Sequence, residues 1–129
     1  MRVILDTTVL IDYLRGRPVV ERVTMLRRRG DVALTTAINV EEVVRGLRPG
    51  EEAAAGTLFD GLGIVSLGRA EGHQAGEWRR TFAKNGVTLS QADCLIAAAA
   101  RAEAAVLATG NPDHFPMSDL MLEHWPVGE

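Results

Sequence analysis

One cysteine in 129 residues excludes an intrachain disulfide, and Cys94 sits among Leu95, Ile96 and alanines, where a thiol behaves as a small buried hydrophobe. Redox chemistry at a cysteine is therefore not expected. Lysine is nearly absent: of the fourteen basic residues thirteen are arginine, and Lys84 stands alone. A formal charge of −3 argues against a binder that neutralises phosphates with excess basic side chains. The arginine clusters Arg27, Arg28, Arg29 and Arg79, Arg80 suit phosphate contacts, but read more readily as solvated helix faces or as charges near helix C-termini. No long apolar run is present either. The longest nearly uncharged stretch, "LIAAAARA", falls well short of the roughly 20 residues that cross a bilayer, and no basic region leads into a long apolar segment. The expectation is a cytoplasmic protein without membrane contact. Repeats, low-complexity tracts and linkers are missing as well, so residues 1–129 read as a single domain.

What is present is an alternation of short strands and helices. "VIL", residues 3–5, reads as a strand, and "VLIDYLRG" places Val9, Leu10, Tyr13 and Leu14 at helical spacing before Gly16. Beyond Pro18, Val19, Val23 and Leu26 continue that spacing to a stop at Gly30. "DVALTT" is a second strand whose Thr35 and Thr36 offer caps for a helix with Val40, Val43, Val44 and Leu47 on one face. Another helix follows in "EEAAAGTLFDG", then a strand "IVSL", then a polar helix closing at Asn85 and Gly86. "SQADCLIAAAARA" is the strongest helix, capped by Ser90. "AVLAT" makes a fourth strand and "LMLEHW" a fifth. This order predicts an α/β fold, with a central parallel sheet of four to five strands flanked by helices on both faces.

In such a sheet, ligands sit outside the carboxyl ends of the strands. Asp6 lies at one such end, Thr109, Gly110 and Asn111 at another, and Glu42 and Asp93 ride on helices beside the same edge. Asp6, Glu42, Asp93 and Asp113 are expected to converge there. Crowded carboxylates repel until one takes up a proton or a cation enters. Mg²⁺ or Mn²⁺ prefers hard oxygen donors and takes one or two carboxylates alongside substrate phosphate, which also answers the objection from net charge.

The segments "VILDTTVLIDYL", "TTAINVEEVVRG", "LSQADCLIAAAA" and "VLATGNPDHF", in that order, resemble the four motifs of PIN-domain ribonucleases. The short single-domain form resembles the VapC-type toxins of type II toxin–antitoxin pairs, and the likeness runs from Arg2 to about Pro116. The resemblance implies a Mg²⁺- or Mn²⁺-dependent endoribonuclease that cleaves RNA, forms homodimers and is restrained by a cognate VapB-like antitoxin. It makes Asp6 and Asp93 metal ligands. It selects Glu42 over Glu41 by its offset of four from Gly46, either completing the cluster or orienting water. The fourth motif departs from the family pattern: Asn111 and His114 occupy the usual positions and the nearest acid is Asp113, so either Asn111 or Asp113 is expected to assist. Thr8 stands where the family commonly has Asn, its hydroxyl free to bond a neighbouring carboxylate, and Thr109 is expected to tune the site by hydrogen bonding.

Plainer readings exist for each residue. Asp6 could cap the following helix, Asp93 could close a capping box with Ser90, Glu42 could be a solvated helix residue, and His114 a surface imidazole. Trp78 and Trp125 could stack on bases or pack into the protein. Two other functions compete: a PIN-like module that binds RNA or protein without cleaving, and a receiver-like phosphoacceptor. The latter needs an acceptor Asp after the middle strand and a Lys after the last; "IVSLG" and Lys84 do not fit.

Overall fold

The computed structural model describes residues 1–128. They form five strands and six α-helices in strict alternation of strand and helical connection. β1 (Arg2–Leu5) leads to α1 (Thr7–Leu14) and α2 (Val19–Arg28). β2 (Val32–Thr36) follows, then α3 (Ala37–Arg45) and α4 (Glu52–Asp60). β3 (Gly63–Val65) precedes α5 (Arg69–Lys84) and α6 (Gln91–Ala102), and β4 (Val106–Thr109) leads through a 3₁₀ turn, Pro112–His114, to β5 (Met121–His124). Every pairing is parallel and the strand order is β3-β2-β1-β4-β5. The α/β expectation holds, with the fifth strand present. The third strand is shorter than "IVSL": Ser66 and Leu67 lie beyond it, leading into the cap of α5.

Two cores flank the sheet, as the two-residue period of a strand requires. Val3, Leu5, Ala33, Val106 and Ala108 face one core with Val9 and Leu10 of α1, Val23 and Leu26 of α2, Val43 of α3 and Leu58 of α4. Ile4, Leu34 and Leu107 face the other, with Ala75 and Trp78 of α5 and Ile96 to Ala100 of α6. Trp78 and Trp125 are both buried within these cores. The alanines of α6 let that helix pack closely on α5 and β4.

This division has a topological cause. The chain adds β2 and β3 on one side of β1, then crosses to add β4 and β5 on the other. Right-handed crossovers then put the helices after β3 on the opposite face from those before it. The reversal falls at β1, where the connections diverge and open a crevice at the carboxyl ends of β1 and β4.

One helix face departs from expectation. Val44 is 52% exposed, while Asn39 and Val43 are buried. The inward line of α3 therefore runs through positions four apart, 39 and 43, and carries Val44 about 100° away from it. Among the described residues no helix is long and apolar enough to cross a membrane.

Candidate active site

Asp6 closes β1, and the parallel register holds it there: its backbone N–H donates to Ala108 of β4 at 2.9 Å. It occupies the N-cap position of α1, yet its side chain makes no cap hydrogen bond. Both carboxylate oxygens are engaged elsewhere. Oδ2 accepts from the Thr109 hydroxyl at 2.6 Å, and Oδ1 accepts from Asn39 Nδ2 at 3.2 Å. Only 6% of the residue is exposed. Burial lifts its pKa above the ordinary carboxylate value; the Thr109 hydroxyl and the Thr7 backbone oppose that rise, and the negative charges of Asp93 and Glu42 add to it.

Glu42 lies on the second turn of α3 and is partly buried. Its Oε1 accepts from the Thr7 hydroxyl at 2.7 Å, while Oε2 stands 3.9 Å from Arg45 on the same helix. Glu41, one position away, pairs loosely with Arg45 at 3.8 Å and is exposed. The 100° step between successive helix residues separates the two glutamates.

Asp93 enters from the opposite face, in the first turn of α6. Ser90 caps that helix by accepting from the Asp93 backbone N–H at 3.0 Å. The reciprocal half of a capping box is missing, and the Asp93 carboxylate instead stands 3.5 Å from His114 Nδ1. The plainer readings of Asp6 and Asp93 as helix caps thus describe backbone position, not what the carboxylates touch.

Asp6, Glu42 and Asp93 line one open cleft of about 530 Å³, together with Thr7, Thr8, Arg45, Ser90, Asn111 and His114. Arg45 is the one permanently cationic side chain among them. Asp113, expected to converge with the three acids, is exposed and lies outside this lining. The 3₁₀ turn explains the difference: with three residues per turn, Asn111 and His114 fall on one side and Asp113 on another. Thr8 also departs from expectation. Its hydroxyl oxygen accepts from the Gly110 backbone N–H at 3.0 Å rather than bonding a carboxylate, so it ties the loop after β4 to α1. Thr109 does bond Asp6, and its oxygen accepts from the Asn111 N–H at 3.0 Å.

Asn39 is the site residue that sequence reading passed over. It is fully buried, and its Oδ1 accepts from the Thr36 hydroxyl at 2.7 Å and the Thr36 N–H at 3.2 Å, the cap of α3. Its Nδ2 donates to Asp6 and, at 3.0 Å, to Thr7. A signal existed: a polar residue four positions before Val43, on the inward line of an amphipathic helix, needs buried partners.

The donor set is all oxygen on the three acids, with an imidazole beside one of them. Among the described residues no three His, Cys, Asp or Glu side chains close into a ready-made coordination cluster. A hard divalent ion that keeps several waters and takes one or two carboxylates fits a set of this kind, and it would relieve the charge that helps raise the Asp6 pKa.

Comparison with known proteins agrees with this architecture. The chain matches the PIN domain family over residues 3–118. It is 29% identical over 116 residues to the ribonuclease VapC10 of Mycobacterium tuberculosis, covering 89% of this chain and 86% of that protein. Its fold superposes on a chain of the VapBC-1 structure from nontypeable Haemophilus influenzae with a TM-score of 0.82 and 26% identity, over 97% of this chain and 98% of the other. For a chain of VapBC2 from Rickettsia felis, solved bound to a DNA fragment from its promoter, the TM-score is 0.83 at 24% identity, covering 97% and 99%.

Proposed function

The chain belongs to the PIN-domain family, and we propose that it is a Mg²⁺- or Mn²⁺-dependent endoribonuclease that acts as the toxin of a toxin–antitoxin pair. The observation that carries this reading is the placement of Asp6, Glu42 and Asp93, from three separate elements, around one cleft at the switch point of the sheet. Three carboxylates gathered without a divalent cation repel one another, and a solvated or apolar lining would be less costly.

In this reading Asp6 and Asp93 hold the ion, and Glu42 completes the set or orients a water. Once bound, such an ion supplies a Lewis acid for the phosphodiester and a water acidified enough to attack it. The chain's own side chains do the rest. Thr109 and Asn39 fix the Asp6 carboxylate so that it need not reorganise when substrate arrives. Arg45, exposed at the rim, offers a planar fork to an RNA phosphate. Asn111 also lines the cleft.

The named ribonuclease relative supports RNA as substrate, and the VapBC complexes support a VapB-like antitoxin as partner. A homodimer belongs to the same reading. The direct test is cleavage of RNA by purified protein with Mn²⁺ or Mg²⁺, beside Asp6→Asn, Asp93→Asn and an EDTA control. The reading expects cleavage by the wild type alone and none in EDTA. Cleavage that survives both substitutions and chelation rejects it.

A further inference from the structure

The acids at the ends of β1 and within α3 are not positioned independently. One hydrogen-bonded chain joins them, and its direction is set by the cap of a helix. Asn39 Oδ1 is committed to Thr36, whose hydroxyl and backbone N–H both donate to it. With the carbonyl side so occupied, the amide nitrogen must face the other way, and its two N–H groups go to Asp6 Oδ1 and to Thr7 Oγ1. The Thr7 oxygen, having accepted from Asn39, turns its own proton onto Glu42 Oε1 at 2.7 Å. Asn39 thereby uses both donors and two acceptor positions while wholly buried. Reversal of the amide would set a nitrogen against the Thr36 N–H and a carbonyl oxygen against the Asp6 carboxylate, so only one orientation satisfies every group.

We propose that Asn39 and Thr7 are positioning residues that couple Asp6 to Glu42 and hold both carboxylates oriented for a divalent cation. The chain's donors end on Asp6 Oδ1 and Glu42 Oε1, which fixes both carboxylates while leaving Glu42 Oε2 free of Thr7. Neither residue is a metal ligand in this scheme; each acts through a carboxylate. Outer partners of this kind typically change metal affinity by about 10- to 100-fold when removed. The inference rests on the metal reading of the preceding section, and the experiment separates the two.

Mn²⁺ binding to the intact protein is measured by titration calorimetry, with unfolding midpoints recorded in parallel. Thr7→Val deletes only the hydroxyl and leaves the helix cap and the Asn39–Asp6 bond in place, so it is expected to fold and to bind Mn²⁺ about tenfold more weakly. Thr7→Ser, which keeps the hydroxyl, is expected to bind as the wild type does. Asn39→Leu removes the donors to both Asp6 and Thr7 and is expected to weaken binding at least as much. A merely structural role would lower the midpoint and leave the Kd alone. Thr7→Val binding within twofold of wild type overturns the relay and spares the metal site. A wild type that binds no Mn²⁺ overturns both.

Discussion

The hydroxyl of Thr109, the last residue of β4, donates to Asp6 Oδ2 at 2.6 Å and at the same time accepts from the backbone N–H of Asn111. One buried oxygen thus secures the carboxylate of β1 and the loop that follows β4. Thr109→Val keeps the shape and removes both bonds. The expected cost is about 1–3 kcal/mol of stability, read from urea unfolding. Unfolding indistinguishable from wild type would show that the pair carries no weight.

The raised pKa of Asp6 makes a signed prediction for the metal-free protein. Burial disfavours its charged form in the fold, so the fold's relative advantage is full below the ordinary value of 3.8 and is lost as pH rises through the raised value. Asp6→Asn cannot titrate. In EDTA, the melting temperature of the variant minus that of the wild type is therefore expected to grow as pH rises above about 4. Added Mn²⁺ should reverse the trend by stabilising only the wild type. A difference independent of pH contradicts the burial argument.

Arg45 is tied to Glu41 and Glu42 only at 3.8 and 3.9 Å, and its side chain is 68% exposed. That leaves it available to a polyanion entering the cleft. Arg45→Gln, in an Asp6→Asn background so that RNA stays intact, is expected to reduce the slope of log affinity against log salt by about 0.7, one phosphate contact on a single strand. An unchanged slope removes Arg45 from the RNA path.

Gly110 has no room for a side chain. A β-carbon there would lie 2.6 Å from Val127 Cγ2, 2.8 Å from its Cγ1 and 3.2 Å from Thr8 Oγ1. Val127 is stiff at χ1, and the next residue is anchored where Gly128 N–H donates to Asp12 Oδ2 at 2.8 Å. Gly110→Ala is expected to cost about 1–3 kcal/mol, and Val127→Ala in the same chain to restore much of it. Failure of that rescue would place the strain elsewhere.

Asp6 and Asp93 are legible from local frames, a strand end and a helix first turn behind Ser90, whereas Glu42 is selected over Glu41 only by the family resemblance, through its offset of four from Gly46. Asp113 misled because proximity along the chain does not say which side of a 3₁₀ turn a residue takes. Thr8 shows the same limit from another direction. A hydroxyl near an acid is visible in sequence, but its partner came from Gly110, 102 residues away. Asn39 was hidden because its short-range role, capping with Thr36, is a sufficient reason for an Asn at that place. Asp12 was absorbed into a helical pattern, and its burial follows from Arg17 and Gly128 reaching it from two sides.

The reversal of strand order at β1 bears on the order in which the sheet can assemble. Asp6 precedes its Thr109 partner by 103 positions, and the backbone it pairs with belongs to β4. Such distant parallel pairing is slow to form. β1, β2 and β3 can pair with one another before β4 joins, and until it does the crevice lacks a wall.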